Sequence, residues 1–310
     1  MPRLKLILNP ASDRWHTKDR SKSLRELIEH QARESYELVW ATTERPRHAT
    51  ALAKSAGDEG FDVVVVVGGD GTVHEVVNGL MQIPADRRPK LGIIPVGSGN
   101  DFAYNLGFSH DVEESVPCLF GNKTRIIDVG TITDHTGRME YWNNTVGLGF
   151  SGAVNLASRQ LKRLRGFLLY LVAVLQTILF KPQALAATMR IDDQPPLERG
   201  IAMLSICNGP REGGGFPVAP DAVMDDGLIT YTIMRKVNRL QMLYFLPIVM
   251  SAAHMRYQKF FQGGTAKHLS VTTDKTMAIH TDGEVFGSWE AGICEVNVSI
   301  IPSALQVLIC

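Results

Sequence analysis

Apolar residues follow two different rhythms along this chain. Over residues 1–130 they alternate between strand-like and helix-like runs. Residues 4–8 (LKLIL) read as a strand, 21–34 as a helix, 37–40 (ELVW) as a strand and 48–56 as a helix of small residues. Five consecutive valines at 63–67 make a β-branched run short enough for a strand buried on both faces. Gly68-Gly69-Asp70-Gly71-Thr72 breaks that strand, and Val73, Val76, Val77 and Leu80 return at helical spacing. Residues 91–95 (LGIIP) form a further strand. This βαβα order predicts a parallel sheet covered by helices. The glycine turns all follow strands, so they gather at the carboxyl edge, where open α/β sheets bind ligands.

After Asp128 the rhythm shortens. Strands are expected at 128–133, 140–146, 187–191, 201–208, 228–234, 269–273, 278–281 and 295–301, with helical stretches at about 153–180 and 238–261. Dense short strands with glycine and proline turns predict a β-sandwich or barrel-like domain. The division falls near residue 130, giving domains 1–130 and 131–310, with a return of the C-terminal segment to the first domain left open. There is no internal repeat and no low-complexity segment.

Composition narrows the function. Lys+Arg and Asp+Glu both number 32 and the isoelectric point is about 7.1, so the chain lacks the basic field of a nucleic-acid binder. Cys118, Cys207, Cys294 and Cys310 stand far apart with no C-x-x-C pair, which argues against zinc and against a disulfide framework. That usage fits a reducing, cytoplasmic compartment. MPRLKLILNP reads as a first strand rather than a signal peptide. The longest apolar stretch, 167–180, is interrupted by Gln176 and Thr177 and is too short to span a bilayer. A soluble protein, or one lying on a membrane surface, is expected.

The chemistry sits in the glycine turns. A strand, a glycine turn and a helix start make a phosphate site, because glycine lets the backbone approach an anion and the helix N-terminus offers N–H groups and a positive dipole end. GGDGT is not a dinucleotide fingerprint, since His74 stands where a third glycine would be needed, and no G-x4-G-K-[ST] occurs. His74-Glu75 does not open a zinc motif, because position 78 is Asn78, and Asp101-Phe102 is followed by Ala103 rather than by the kinase glycine. An acid inside the loop would repel phosphate unless it works through Mg2+, water or a hydroxyl, which points to phosphoryl transfer. The plainer alternative is a tight βα turn without a ligand.

Three further turns carry polar groups. Pro95-Val96-Gly97-Ser98-Gly99-Asn100-Asp101-Phe102 offers a hydroxyl, an amide and a carboxylate, although Asn100 or Asp101 could serve as N-cap of the helix that follows. NGPREGGGFPVAPDAVMDDGLITY, at 208–231, reads as a ligand-lining loop. Its Asp225-Asp226-Gly227 suits either a hairpin turn or a hard cation. Thr281-Asp282-Gly283-Glu284 presents two acids at a strand end, either a general base for a substrate hydroxyl or an Asp-Gly hairpin with a solvated Glu.

Taken in order, GGDGT, PVGSGND, GGG…DDGL and TDGE resemble the diacylglycerol kinase catalytic domain, specifically the bacterial soluble lipid kinases, from Asn9-Pro10 to the TDGE turn. The resemblance implies an NAD-kinase-like α/β three-layer N-terminal domain followed by a β-sandwich domain, with the active site in the cleft between them. It implies ATP and Mg2+ as cofactors. Asn9 would lie in the first phosphate-side turn and Thr43 after the second strand, near ATP. Gly69, Asp70, Gly71, Thr72 and Glu75 would wrap the phosphates, with Ser98 in the place usually held by Thr. Glu284 would take the proton, with Asp282 its rival. A structural Mg2+ would sit on Asp226 and the carbonyls of Val223 and Leu228. The chain departs from the family pattern at His74 (usually Asn), at Arg47 (usually Gly) and in the first turn, NPASDRWHTK, which lacks its usual glycine.

The activity implied is ATP-dependent transfer of phosphate to a lipid hydroxyl, with diacylglycerol the default acceptor and phosphatidylglycerol, sphingoid or other long-chain alcohols open. An NAD kinase-like phosphotransferase and a catalytically inactive nucleotide- or membrane-binding protein remain alternatives. The partner would be a lipid at a membrane surface; a homodimer is left open. The basic run Arg159-Gln160-Leu161-Lys162-Arg163-Leu164-Arg165 ahead of the apolar 166–180 stretch suits an interfacial helix or a solvated first turn of a core helix. The apolar 240–261 stretch, with Pro247, would wall an acyl cleft or pack on the sandwich.

Overall fold

The computed structural model describes residues 1–12, 18–109, 111–161, 164, 166–180 and 184–310. Two units divide it: Met1–Ile127 with Ser303–Cys310, and Asp128–Pro302. Asp13 to Thr17 of the first turn, and Lys162, Arg163 and Arg165 of the basic run, lie outside the described residues.

In the first unit the chain runs β1 (Arg3–Leu8), α1 (Lys18–Ala32), β2 (Glu37–Thr42), α2 (His48–Asp58), β3 (Val63–Gly68), α3 (Asp70–Leu80), β4 (Lys90–Pro95), α4 (Asp101–Asn105) and α5 (Val112–Ser115). The strands are parallel in the order β2-β1-β3-β4, with Leu4 opposite Val63 and Val63 opposite Lys90. Side chains alternate along a strand. Val63, Val65 and Val67 therefore share a core with Leu4, Leu6 and, on α1, Leu24 and Ile28. Lys5 points to the other face, where its ammonium meets Ser55 and Glu59 at the end of α2. Three layers result, as the βαβα rhythm requires.

The second unit begins within β5 (Thr124–Asp134) and continues through β6 (Met139–Trp142), β7 (Thr145–Gly149), α6 (Phe150–Ser158), α7 (Gly166–Phe180), β8 (Leu185–Ile191) and β9 (Leu197–Cys207). It goes on through β10 (Ile229–Arg235), α8 (Arg239–Met250), β11 (Phe261–Ala266), β12 (His268–Thr273), β13 (Ile279–Thr281), β14 (Glu284–Gly287) and β15 (Glu295–Leu308), whose last residues belong to the first unit. Pairing is antiparallel in the order β14-β13-β7-β9-β8-β12-β15, and β10 joins β9 to β11. β9 is buried from Ile201 onward because both faces are covered. It gives Ile201, Leu204 and Ile206 to the sandwich core, and Ala202, Met203 and Cys207 to a second core shared with α6, α7 and α8.

Four expectations are corrected. Residues 140–146 are two strands, not one, because the chain turns at Asn143-Asn144. The stretch 153–180 is two helices, α6 and α7. The helix expected to reach 261 ends at Met250, and Phe261 instead opens β11 against β10. Cys118 and Cys310 form a disulfide across 192 residues, Cα to Cα 4.7 Å, against the expectation of none. Spacing along the chain could not reveal it, because the end of β15 comes back beside β4, with Val307 opposite Leu91. Among the described residues, no helix is long and apolar enough to cross a membrane.

Candidate active site

Asn9, Thr43, Gly69 and Val96 follow the ends of four parallel strands, so all four turns open at one edge of the first sheet. Asn9 donates its amide to Thr72 Oγ1 at 2.9 Å and accepts from the Ala11 N–H, while the Thr43 N–H donates to the Leu8 carbonyl at 2.8 Å. The two glycine loops pack backbone on backbone. A Cβ built on Gly69 would lie 2.8 Å from Gly97 Cα, and one on Gly97 would lie closer still to Gly69 Cα, so neither position has room for a side chain. The N-terminus of α3, with Gly69 as its N-cap, opens the GGDGT turn; the first N–H groups of a helix lack partners within it and carry the positive dipole end.

Two acids in this region brace the loops. Asp70 Oδ1 accepts the Phe102 N–H at 3.2 Å, capping α4 from the neighbouring loop. Asn100, in the left-handed region, does not cap α4 with its side chain; it accepts from Gly97 N–H and donates to the Gly97 carbonyl, closing its own turn. Glu75 accepts the N–H groups of Arg47 and Ala49 at 2.8 and 3.1 Å, and its carbonyl accepts from Thr50 Oγ1. Its carboxylate thus holds the start of α2, where Arg47 takes the left-handed conformation (φ 63°) usual for glycine. His74 is buried in α3 with Asn78 beside it, and Ser98 is exposed.

In the second unit, β13 and β14 are joined by Asp282-Gly283 with φ of 52° and 83°, a two-residue mirror-image turn. The buried Asp282 carboxylate accepts three backbone N–H groups: Asn143 at 3.0 Å, Asn144 at 2.8 Å and Thr145 at 2.9 Å. Asn155 of α6 donates to the Gly283 carbonyl at 2.5 Å. Glu284, its side chain 45% exposed, pairs with Arg159 at 2.6 Å. The two rival acids therefore differ: Asp282 is spent on the backbone, and Glu284 faces solvent beside a cation.

Sequence reasoning missed the side chains behind this turn. His280 Nε2 lies 2.8 Å from Ser151 Oγ, Ser151 donates to Glu212 Oε1 at 2.8 Å, and the Gly283 N–H donates to His280 Nδ1 at 3.4 Å. Burial lowers the His280 pKa, against the opposing pull of Glu212 and Asp282. The only sequence signals were a histidine two places before Asp282 and an acid opening the GGG loop. That loop has three positive φ values, and Glu212 bridges to Phe216 across it.

For the cation, the oxygens of Asp226, Val223 and Leu228 are hard donors of the kind Mg2+ takes. Asp226 is exposed, and its Oδ1 accepts the Leu228 N–H at 2.9 Å. Buried Asp128 secures the same turn by accepting the Gly227 N–H and donating its own N–H to Met224, both at 2.7 Å. Among the described residues no group of three or more His, Cys, Asp or Glu side chains is placed to hold a metal ion. On the same unit, α7 exposes Phe167, Leu168, Leu179 and Phe180, and α8 exposes Leu240, Tyr244 and Met250.

Residues 3–132 match the diacylglycerol kinase catalytic domain, and residues 144–309 match the YegS C-terminal NAD kinase beta sandwich-like domain. The diacylglycerol kinase of Bacillus subtilis (strain 168) is 30% identical over 290 residues, 93% of this chain and 91% of that one. The crystal structure of a diacylglycerol kinase from Bacillus anthracis superposes over 99% of this chain and 97% of that one, with a TM-score of 0.71 and 19% identity. An NAD kinase from Archaeoglobus fulgidus, in complex with ATP, matches over 99% of this chain and 93% of that one, with a TM-score of 0.53 at 11% identity. Both likenesses show the fold alone: an NAD-kinase-like α/β unit and a β-sandwich.

Proposed function

The chain belongs to the diacylglycerol kinase catalytic-domain family and so is a lipid kinase; from that premise we propose that it moves the γ-phosphate of ATP onto the hydroxyl of a lipid such as diacylglycerol. The observation that carries the reading is the division of labour in the TDGE turn. Three N–H bonds fix Asp282, and Glu284 is left as the acid able to meet a substrate.

ATP is held by the first unit, its phosphates on Gly69, Asp70, Gly71 and Thr72, with Asn9 orienting Thr72 and with Thr43 and Ser98 at the neighbouring strand ends. Glu75 acts one turn deeper, fixing α2 against α3. Glu284 takes the proton of the lipid hydroxyl as its oxygen attacks the γ-phosphorus, and the Asp282 anchor keeps the turn from moving as it does so. Asp226 and the carbonyls of Val223 and Leu228 would hold a Mg2+ that orders their turn, and Mg2+ bound with ATP would supply charge neutralisation. The exposed apolar faces of α7 and α8 support docking at a membrane surface, where a lipid hydroxyl is found.

The test supplies γ-labelled ATP and Mg2+ with mixed micelles of diacylglycerol, phosphatidylglycerol or a sphingoid base, and in parallel with NAD. Label in the organic phase names the acceptor. Label on NAD with none in any lipid overturns the reading.

A further inference from the structure

Ser151, His280 and Glu212 bring a hydroxyl, an imidazole and a carboxylate together in the interior of the second unit, yet none of them belongs to the transfer described above. The order of their protons decides what they can do. Nδ1 of His280 accepts from the Gly283 N–H, so a neutral ring carries its proton on Nε2. Nε2–H then donates to Ser151 Oγ, and the Ser151 hydroxyl donates in turn to Glu212 Oε1. Ser151 receives the imidazole N–H instead of donating to the ring, so the trio is not arranged as a histidine-activated nucleophile. It is a chain of directed bonds from the GGG loop, through the first turn of α6, to the backbone N–H next to Glu284.

We propose that His280 is a positioning residue for phosphoryl transfer: in its neutral form it ties the Asp282-Gly283 turn, and with it Glu284, to Ser151 and Glu212. The proposal rests on the reading of Glu284 as base. The space is built for the ring, since a Cβ on Gly147 of β7 would strike both His280 Nε2 and Ser151 Oγ. Protonation places a hydrogen on Nδ1 as well, which then confronts the Gly283 N–H donor to donor, and the turn loses that tie. The groups facing the ring are Glu212 from the GGG loop, Asp282 from its own hairpin and Arg159 from α6. Burial, and to a lesser degree Arg159, hold its pKa below the 6.5 of a free imidazole, while Glu212 and Asp282 pull the other way. The neutral ring therefore prevails at neutral pH, and the tie is lost as the medium becomes acidic.

The test compares His280→Asn, which keeps an acceptor at the Nδ1 position and cannot titrate, with His280→Leu, which removes both bonds. Wild type is assayed first, so that absence of any transfer counts against the reaction and not against this tie. From about pH 5 to about pH 8, wild type should lose kcat on the acid side. His280→Asn, which keeps the acceptor toward Gly283 but not the bond to Ser151, should retain more kcat near neutrality than His280→Leu and lose that acid limb. His280→Leu should lose kcat by about a hundredfold, the scale of a misplaced catalytic group, with KM for ATP little changed. An unchanged acid limb in His280→Asn overturns the proposal, as does full kcat in a folded His280→Leu. Nuclear magnetic resonance gives a reading independent of turnover and of the leucine variant's folding. The His280 ring should show the Nε2–H tautomer, and the Gly283 amide should titrate with it. A Gly283 amide indifferent to the His280 titration contradicts the tie.

Discussion

Asp282 and Glu284 are two residues apart and chemically alike, and their surroundings make them different. Asp282 Oδ1 and Oδ2 hold the N–H groups of residues 143–145, so removing that carboxylate leaves three buried donors without it. Asp282→Ala should cost about 3 kcal/mol or more, a fall in melting temperature on the order of 10 °C. Glu284→Gln, at a half-exposed side chain, should leave the melting temperature nearly unchanged. Calorimetry on the two variants checks the ranking; equal losses would contradict it. The TDGE acids were legible in the sequence as a pair. Which of them anchors the backbone and which faces solvent was not, because the anchor's partners lie about 140 residues upstream. Glu75 teaches the same lesson: the sequence places it in the phosphate turn, and only the structure shows its oxygens on the N–H groups of Arg47 and Ala49.

At the scale of elements, the strongest expectation concerns the contact between the two glycine loops. Gly97→Ala pushes a methyl group into the Gly69 backbone, which cannot rotate away as a side chain could. Overpacking of this kind costs about 1–3 kcal/mol. It should weaken ATP binding by about tenfold if half of that falls on the loop geometry. Gly121→Ala is the control, since its new methyl would come no closer than 3.7 Å to its surroundings and the position has no positive φ. Titration of both variants with ATP decides it, and equal affinities would contradict the account. The valine strand, its glycine turn and the helix after it were legible because local periodicity and burial agree there. Residues 140–146 were misread for the opposite reason. Asn143-Asn144 looks like continuing strand until Asp282 draws off the N–H groups at the corner. β11 escaped because its sequence, FQGGTA, is poor in strand formers, and it is held by pairing with β10, where Gly264 sits opposite Tyr231.

For the whole molecule, the disulfide is the feature that composition concealed. Cys118–Cys310 closes a loop of 192 residues, and in the chain-entropy account such a closure contributes about 5 kcal/mol. Oxidised protein should show two reactive thiols after unfolding, from Cys207 and Cys294, and reduction or Cys310→Ser should lower its melting temperature. Four reactive thiols in unreduced protein would contradict the staple. An α/β unit followed by a β-sandwich was readable from the change of rhythm along the chain. The entry of residues 303–310 into the first unit was left open there, because nothing in a strand's own sequence says which sheet it will join.

The central claim is that Glu284 takes the proton when phosphate passes from ATP to a lipid hydroxyl. The direct measurement is single-turnover transfer of label from γ-labelled ATP to the micellar lipid, with wild type and Glu284→Gln side by side at matched ATP occupancy. The account expects rapid organic-phase label from wild type and a rate lower by about a hundredfold or more in the variant, with ATP affinity retained. A variant that transfers phosphate as fast as wild type would contradict it.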